Sequence, residues 1–231
     1  MAKAISNRIY SLYGRFYDAS KFLFRKRLQK AISSVPFHPG DRVLDVGIGT
    51  GLSLEFYPDD VQVTGIDLCP AMLAQAQKKL DTKATRAAPR SHTQLLQANA
   101  LDLPFPNESF DTVFLSHLIT TVPDPYRCLA EAFRVARPHA HLVIVNHFRS
   151  PYPVLSWLET AVDPICRKLG WRSDLSLTEL LAPASVENLH LAPETPGLLF
   201  RIVYLEKSHG KLRLARFPAP LPQTEPTFDP A

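Results

Sequence analysis

Residues 45–51 read Asp-Val-Gly-Ile-Gly-Thr-Gly, an acid followed by three alternating glycines. Without Cβ atoms at Gly47, Gly49 and Gly51, the backbone can turn tightly and approach a ligand, offering its N–H groups. The spacing is D-x-G-x-G-x-G. It is not the G-x-G-x-x-G of a pyrophosphate loop, so it suits a small zwitterionic ligand without phosphate. Asp45 either organises the loop or accepts from a cationic amine. Asp67 closes the next apolar run, with Leu68 beside it, and an acid there accepts hydrogen bonds from a ribose diol. Further on, "ANALDLPF" at 98–105 offers Asn99 as a polar side chain for an adenine edge. Ala100 adds a backbone N–H and Leu101 an apolar contact, and Ser116 stands at the end of the following strand. Together these residues fit an adenosine bearing an amino-acid tail, S-adenosyl-L-methionine.

The elements that must position them follow from the apolar pattern. "RVLDVGIG", "VQVTGIDLC", "QLLQANA", "FDTVFLSHL" and "HLVIVNHF" read as five strands, with "GLLFRIVYLEK" as a late one. Helices are predicted over 3–34, from "LSLEFY", over "PAMLAQAQKKL" with Pro70 in its first turn, and over "DPYRCLAEAFRVA". Strands alternating with helices predict an α/β fold: a Rossmann-like, mostly parallel sheet with helices on both faces and an N-terminal helical cap. Ligands bind such sheets at the carboxyl ends of the strands. The predicted organisation is a basic amphipathic cap over 1–40, the cofactor-binding domain over 41–214, and a proline-rich tail over 215–231. An insertion over 149–190 lies on the substrate side, and Trp157 and Trp171 are expected to pack it or to sit at a membrane interface.

The chain has 231 residues and a net charge of +4. That charge is concentrated at one end: Lys3, Arg8, Arg15, Lys21, Arg25, Lys26, Arg27 and Lys30 face Asp18 alone, and the remainder is net acidic. Cys69, Cys128 and Cys166 form neither a disulfide framework nor a zinc pattern, so reduced cytoplasmic thiols and no metal are expected. No apolar run is long enough to span a bilayer. The N-terminus lacks the apolar core of a secretory signal. Aromatic residues interleaved with the N-terminal cations suit an anionic membrane surface. A plain cap with a solvated basic face and a nucleic-acid-binding helix are the competing readings. Nothing else in the chain supports nucleic acid, and no obligate protein partner is apparent.

The glycine loop, Asp67, "ANALDLPF", "FDTVFLSHL" and "FRVARPHAHLVIV", in this order, resemble the class I S-adenosylmethionine-dependent methyltransferases over about residues 40–148. The resemblance implies that superfamily's seven-stranded sheet with an antiparallel last hairpin. Asn99 stands where many members carry Asp. "RPHAH" replaces the usual "KPGG" turn, so His139 and Ala140 must accept a geometry that glycine normally supplies, in a turn that is shifted or of type I. No Asn-Pro-Pro-Tyr or Asp-Pro-Pro-Tyr element follows the fourth strand, which argues against methylation of amide or adenine nitrogen. Cys69 lies too close to the ribose acid to attack a pyrimidine.

"GTGLSLEFYP", "TTVPDP", "VNHF" and "LGW" narrow the resemblance to bacterial phosphatidylethanolamine N-methyltransferases of the ubiquinone/menaquinone methyltransferase-like branch. That resemblance implies a phospholipid substrate, peripheral attachment to an anionic membrane through the N-terminal helix, and up to three rounds of amine methylation towards phosphatidylcholine. His147, Tyr10, Tyr13 and Tyr17 are the candidate proton acceptors or orienters, and His117 stays open beside His147. Tyrosine faces would also hold methylated ammonium groups by cation–π contact. Arg8 or Arg15 would pair the lipid phosphate. Methylation of carbon or oxygen on a quinone or other lipophilic small molecule remains an alternative, as does cofactor binding without catalysis.

Overall fold

The computed structural model describes residues 24–81, 92–150, 152–168, 170–182, 200–208 and 211–214. Seven strands form one sheet: β1 (Arg42–Val46), β2 (Gln62–Asp67), β3 (Thr93–Gln97), β4 (Phe110–Ser116), β5 (Ala136–Asn146), β6 (Arg201–Ser208) and β7 (Lys211–Leu214). Their spatial order is β3-β2-β1-β4-β5-β6-β7. Strands β1 to β5 pair in parallel, whereas β6 runs antiparallel to β5 and β7 antiparallel to β6. The chain steps outward from β1 through β2 to β3, then returns to pair β4 on the other side of β1. That reversal opens a crevice at the carboxyl ends of β1 and β4.

The central strands are apolar throughout because both faces are covered. Leu44, Val46, Val113, Leu115, Leu142 and Ile144 point into one core, with Cys128, Leu129 and Ala132 of α3 (Pro125–Val135) and Leu177, Leu180 and Leu181 of α5 (Leu177–Leu181). Val43, Phe114, Val143 and Val145 alternate into the other core. There they meet Ala31 and Ile32 of α1 (24–33), Ala76 of α2 (Pro70–Asp81), and Leu54 and Tyr57. The remaining helix, α4 (Pro153–Lys168), lies in the expected insertion. Asp124 caps α3, its side chain accepting from the Arg127 N–H at 2.9 Å, with Pro125 in the first turn.

Two local expectations are corrected. "LSLEFY" does not begin an α-helix; it forms a single 3-10 turn, Leu54–Phe56. Pro58 is the cause: the residue before a proline avoids the helical region, and Tyr57 is extended at φ −71°, ψ 141°. The "RPHAH" segment is not a separate turn of type I but part of β5. The register shifts there, Phe110 pairing with Ala136 and Thr112 with His141. His139 does adopt the left-handed conformation, at φ +66°, whereas Ala140 does not. The predicted helix over 3–34 is present from residue 24; its earlier part, the 215–231 tail and 183–199 lie outside the described residues.

The loop after β1 depends on Gly51. Its φ is +70°, and a Cβ there would stand 2.6 Å from Leu54 Cδ1 and 3.0 Å from Ala76 Cβ. Gly51→Ala should therefore lower stability by about 2–4 kcal/mol, combining the left-handed penalty with overpacking. At Gly49 a Cβ would meet nothing nearer than Gly47 O at 3.9 Å. Gly49→Ala should cost only the backbone part, about 1–2 kcal/mol. Urea denaturation of the two variants checks the difference.

Candidate active site

The β1 strand delivers Asp45 and the glycine loop to the crevice, and β2 delivers Asp67. The N–H groups of Gly47 and Ile48 both donate to Ile66 O, at 2.8 and 2.9 Å. The Gly49 N–H donates to Asp67 Oδ2 at 2.9 Å, and the Cys69 N–H to Asp67 Oδ1 at 2.8 Å. One carboxylate thus ties the loop to the end of β2. Each of its oxygens keeps accepting capacity for ribose hydroxyls.

Asp45 is buried beneath the loop. Ser53 Oγ donates to its Oδ2 at 2.5 Å, and the Tyr57 hydroxyl to the same oxygen at 2.9 Å. Its Oδ1 is buried with no hydrogen-bond partner. Burial raises the carboxyl pKa to about 6, and the nearby Asp67 charge adds to the rise, against the two hydroxyl donors. Burial and the adjacent Asp45 together push the Tyr57 phenol well above its ordinary range. An unpaired buried carboxylate oxygen is strongly destabilising unless a cation satisfies it. The ammonium of an amino-acid tail is such a cation. The open space over Gly49, beside packed Gly47 and Gly51, leaves room for that tail. Sequence reasoning identified both acids but not Ser53 and Tyr57, the donors that hold Asp45. Their only signal was a hydroxyl in each of the two turns after the loop.

The adenine side is shaped by α3. Asn99 follows β3, and its Oδ1 accepts from the Leu101 N–H at 3.0 Å. That oxygen serves the turn at Asn99–Asp102, so the side-chain amide nitrogen is what Asn99 offers an adenine. Ala100 is buried and Leu101 packs against the core. Arg127 Nε donates to Leu101 O at 2.7 Å, and Arg134 Nη1 and Nη2 donate to Phe105 O and Leu103 O at 2.8 and 2.9 Å. These two arginines, unnoticed in the sequence, hold the "ANALDLPF" loop from below. Leu68 is 67% exposed at the end of β2. Gln97 Nε2 donates to its carbonyl at 3.1 Å, leaving an apolar side chain for a planar base.

The acceptor side gathers around Phe200. Past Ser116 the chain places His117 at φ +53°, its N–H donating to Val145 O at 2.7 Å. The His117 ring meets Phe24 edge-on at 4.5 Å and Phe200 at 5.3 Å. Its Nε2 is buried without a hydrogen-bond partner. Burial, and secondarily the Arg27 charge, lower its pKa to about 4, so the ring is neutral at physiological pH. Arg27 lies over the Phe200 ring at 4.7 Å, with Nη1 buried and unpartnered. Burial also lowers the pKa of its guanidinium. His147 meets Phe200 and Trp171 edge-on, each at 5.9 Å, and its Nε2 lies 3.6 Å from Glu159 Oε1. The structure thus brings His147 and His117 to one place. Tyr10, Tyr13, Tyr17, Arg8 and Arg15 lie outside the described residues. Among the described residues, no three metal-ligating side chains cluster, and no helix is long and apolar enough to cross a membrane.

A doubly wound sheet whose first two strands end in a buried acid and a loop-binding acid defines a nucleoside-binding domain of methyltransferase type. The family described as Methyltransferase domain matches residues 44–144. A phosphatidylethanolamine N-methyltransferase of Cereibacter sphaeroides is 39% identical over 168 residues, 73% of this chain and 81% of that one. A 2-phytyl-1,4-naphtoquinone methyltransferase of Trichormus variabilis is 27% identical over 218 residues, 90% of this chain and 91% of its own. A solved SAM-dependent methyltransferase from Methanosarcina mazei has a TM-score of 0.58 at 24% identity, over 74% of this chain and 94% of that one. The chain belongs to the class I S-adenosylmethionine-dependent methyltransferases. Its cofactor is S-adenosyl-L-methionine, and the residues present fit it.

The raised pKa of Asp45 has a measurable sign. An acid whose folded pKa lies above its ordinary 3.8 favours folding most below that value and loses the contribution as pH rises through about 6. A bound ammonium favours the carboxylate, so cofactor binding near pH 6 should release a proton. Affinity should weaken as pH falls below about 6, by up to about tenfold per unit. Calorimetry in two buffers of different ionisation enthalpy checks this, and Asp45→Asn should flatten the dependence.

Proposed function

We propose that this chain methylates the headgroup amine of phosphatidylethanolamine at a membrane surface, in successive rounds towards phosphatidylcholine. The observation that carries this reading is Arg27, a half-buried cation with an unpartnered Nη1 over Phe200, next to the neutral His117. A headgroup with a phosphate and an amine would use both: the guanidinium for the phosphate, the uncharged imidazole for the amine. The likeness to the Cereibacter enzyme supports the same reading.

When bound, S-adenosyl-L-methionine supplies a methyl carbon on a sulfonium. The headgroup ammonium must first lose a proton, because its nitrogen otherwise has no lone pair. His147 is the proton acceptor we assign, with Glu159 behind it to stabilise the imidazolium, while the neutral His117 Nε2 accepts a hydrogen bond from the amine and orients it. With its lone pair freed, the amine would be held in line with that methyl carbon by the Arg27 contact to the phosphate and by the His117 ring. Phe24, Phe200 and Trp171 would give this end of the crevice an aromatic wall. Tyr10, Tyr13 and Tyr17 would add cation–π contacts for the methylated intermediates, and Arg8 or Arg15 further contacts to phosphate. The basic N-terminal segment would hold the enzyme peripherally on anionic lipid.

Quinone methylation is the second reading, supported by the naphtoquinone relative and a ubiquinone/menaquinone C-methyltransferase of Geotalea daltonii that is 34% identical over 54% of this chain. A quinone ring brings no anion to Arg27. Methyl transfer from labelled S-adenosylmethionine to phosphatidylethanolamine vesicles, resolved by lipid chromatography, tests the proposal. We expect label in mono-, di- and trimethylated phospholipid, and a higher KM for lipid with little change in cofactor affinity in Arg27→Gln. Unlabelled lipid with intact cofactor binding would overturn the reading in favour of the quinone.

A further inference from the structure

The Phe200 ring lies outside both hydrophobic cores. It sits just before β6, half-buried, and packs with neither set of buried residues. Around it stand Phe24 at 5.4 Å, His117 at 5.3 Å and His147 at 5.9 Å, each steeply inclined to it, at 87°, 77° and 73°. Phe24, His117 and the nearby Trp171 are likewise half-buried. Rings gathered at the strand ends and left partly open to water suit a cation that keeps only part of its hydration.

A cation already occupies that place. The guanidinium carbon of Arg27 lies 4.7 Å from the Phe200 centroid. Other cations over rings have a second engagement. Arg25, over Phe56, donates to Glu55, and Lys207, over Phe133, donates to Ala136 O at 2.7 Å. Arg27 Nη1 instead is buried with no hydrogen-bond partner. An anion that engages Nη1 would draw the guanidinium off the ring and free the face.

A primary ammonium is strongly hydrated and binds through its N–H groups, which the unpartnered His117 Nε2 can accept. Each round of methylation replaces an N–H with a methyl group. Hydrogen bonding therefore fades, while attraction to an aromatic face persists with less water to strip. We propose that Phe200 is a specificity-determining residue for the later methyl transfers: its ring face, held by Arg27 in the free protein, passes to the methylated ammonium once the lipid phosphate has drawn the guanidinium away. This role rests on the phosphatidylethanolamine reading and deepens it by naming what retains the mono- and dimethylated intermediates. Return of the guanidinium to the ring competes with the trimethylated product and favours its release.

The test begins with the full chain loaded with S-adenosylhomocysteine and titrated, by NMR, with phosphoethanolamine, phosphocholine and tetramethylammonium. Phosphocholine should bind about fivefold more tightly than phosphoethanolamine. Phe200→Leu should abolish that preference, and Phe200→Tyr, which keeps the ring, should preserve it. Arg27→Gln should weaken phosphocholine, which loses its phosphate contact, and strengthen tetramethylammonium, which gains a vacant ring. If Phe200→Leu does not fold, these opposite signs decide, and weaker tetramethylammonium binding in Arg27→Gln would overturn the proposal. Turnover is then measured on vesicles holding phosphatidylethanolamine or its mono- or dimethylated form. Phe200→Leu should raise KM for the dimethylated lipid about fivefold, leave that for phosphatidylethanolamine within about twofold, and accumulate monomethylated product. Equal rises for the three lipids, or a phosphocholine preference that survives Phe200→Leu, would overturn the proposal and leave the substrate reading intact. No methylation of any of the three lipids, with a phosphocholine preference that Phe200→Leu abolishes, would do the reverse.

Discussion

The structure depends on two carboxylates at the ends of neighbouring parallel strands. Asp67 closes β2 and binds the Gly49 N–H; Asp45 in β1 lies buried beneath the same loop. Two like charges so close, one of them desolvated, are tolerated only where something positive completes the site. Burial first, and the Asp67 charge only last, raise the Asp45 pKa to about 6. Ser53 and Tyr57 oppose that rise in part through one oxygen and leave the other for a ligand. The loop, the short 3-10 turn and the packing of Gly51 against Ala76 keep this geometry in place.

A division of labour follows across the sheet. The half built on β1, β2 and β3 carries the residues that fit the cofactor, with Asp67 and Asn99 already bonded to backbone N–H groups. The half built on β4, β5 and the first residue before β6 is aromatic and histidine-rich, with several polar atoms left open. His117 Nε2 and Arg27 Nη1 are buried without hydrogen-bond partners beside Phe200, where the proposed acceptor would enter. Unsatisfied polar atoms cost stability, and their concentration there marks a site arranged for chemistry rather than packing.

Much of the cofactor half was legible in the sequence because it is local. Asp45, the three glycines and Asp67 lie within 23 residues, and their spacing alone describes a strand, a turn and a second strand end. The acceptor half was less legible because its parts are distant in the chain: Phe24 and Arg27, His117, His147 and Phe200 meet only through the sheet order. His147 and His117 could be marked as strand-end histidines; Arg27 was counted only among the N-terminal cations. The missing α-helix after the loop turned on Pro58, whose effect on Tyr57 outweighed the helical pattern of "LSLEFY". That α4 turns Glu159, Asp163 and Cys166 inward was hidden for another reason. Periodicity shows that a stripe exists, but not which side of the helix meets the protein.

The orphaned Asp45 oxygen implies that this crevice binds a nucleoside through the ammonium of its amino-acid tail as well as through its ribose. The most direct measurement is calorimetric: S-adenosylhomocysteine against 5′-methylthioadenosine, the same nucleoside without the amino acid, at neutral pH. The tailless nucleoside should bind at least about tenfold more weakly, in line with a charged hydrogen bond, with a smaller gap in Asp45→Asn. Equal affinity for the two ligands in the unaltered protein would contradict it.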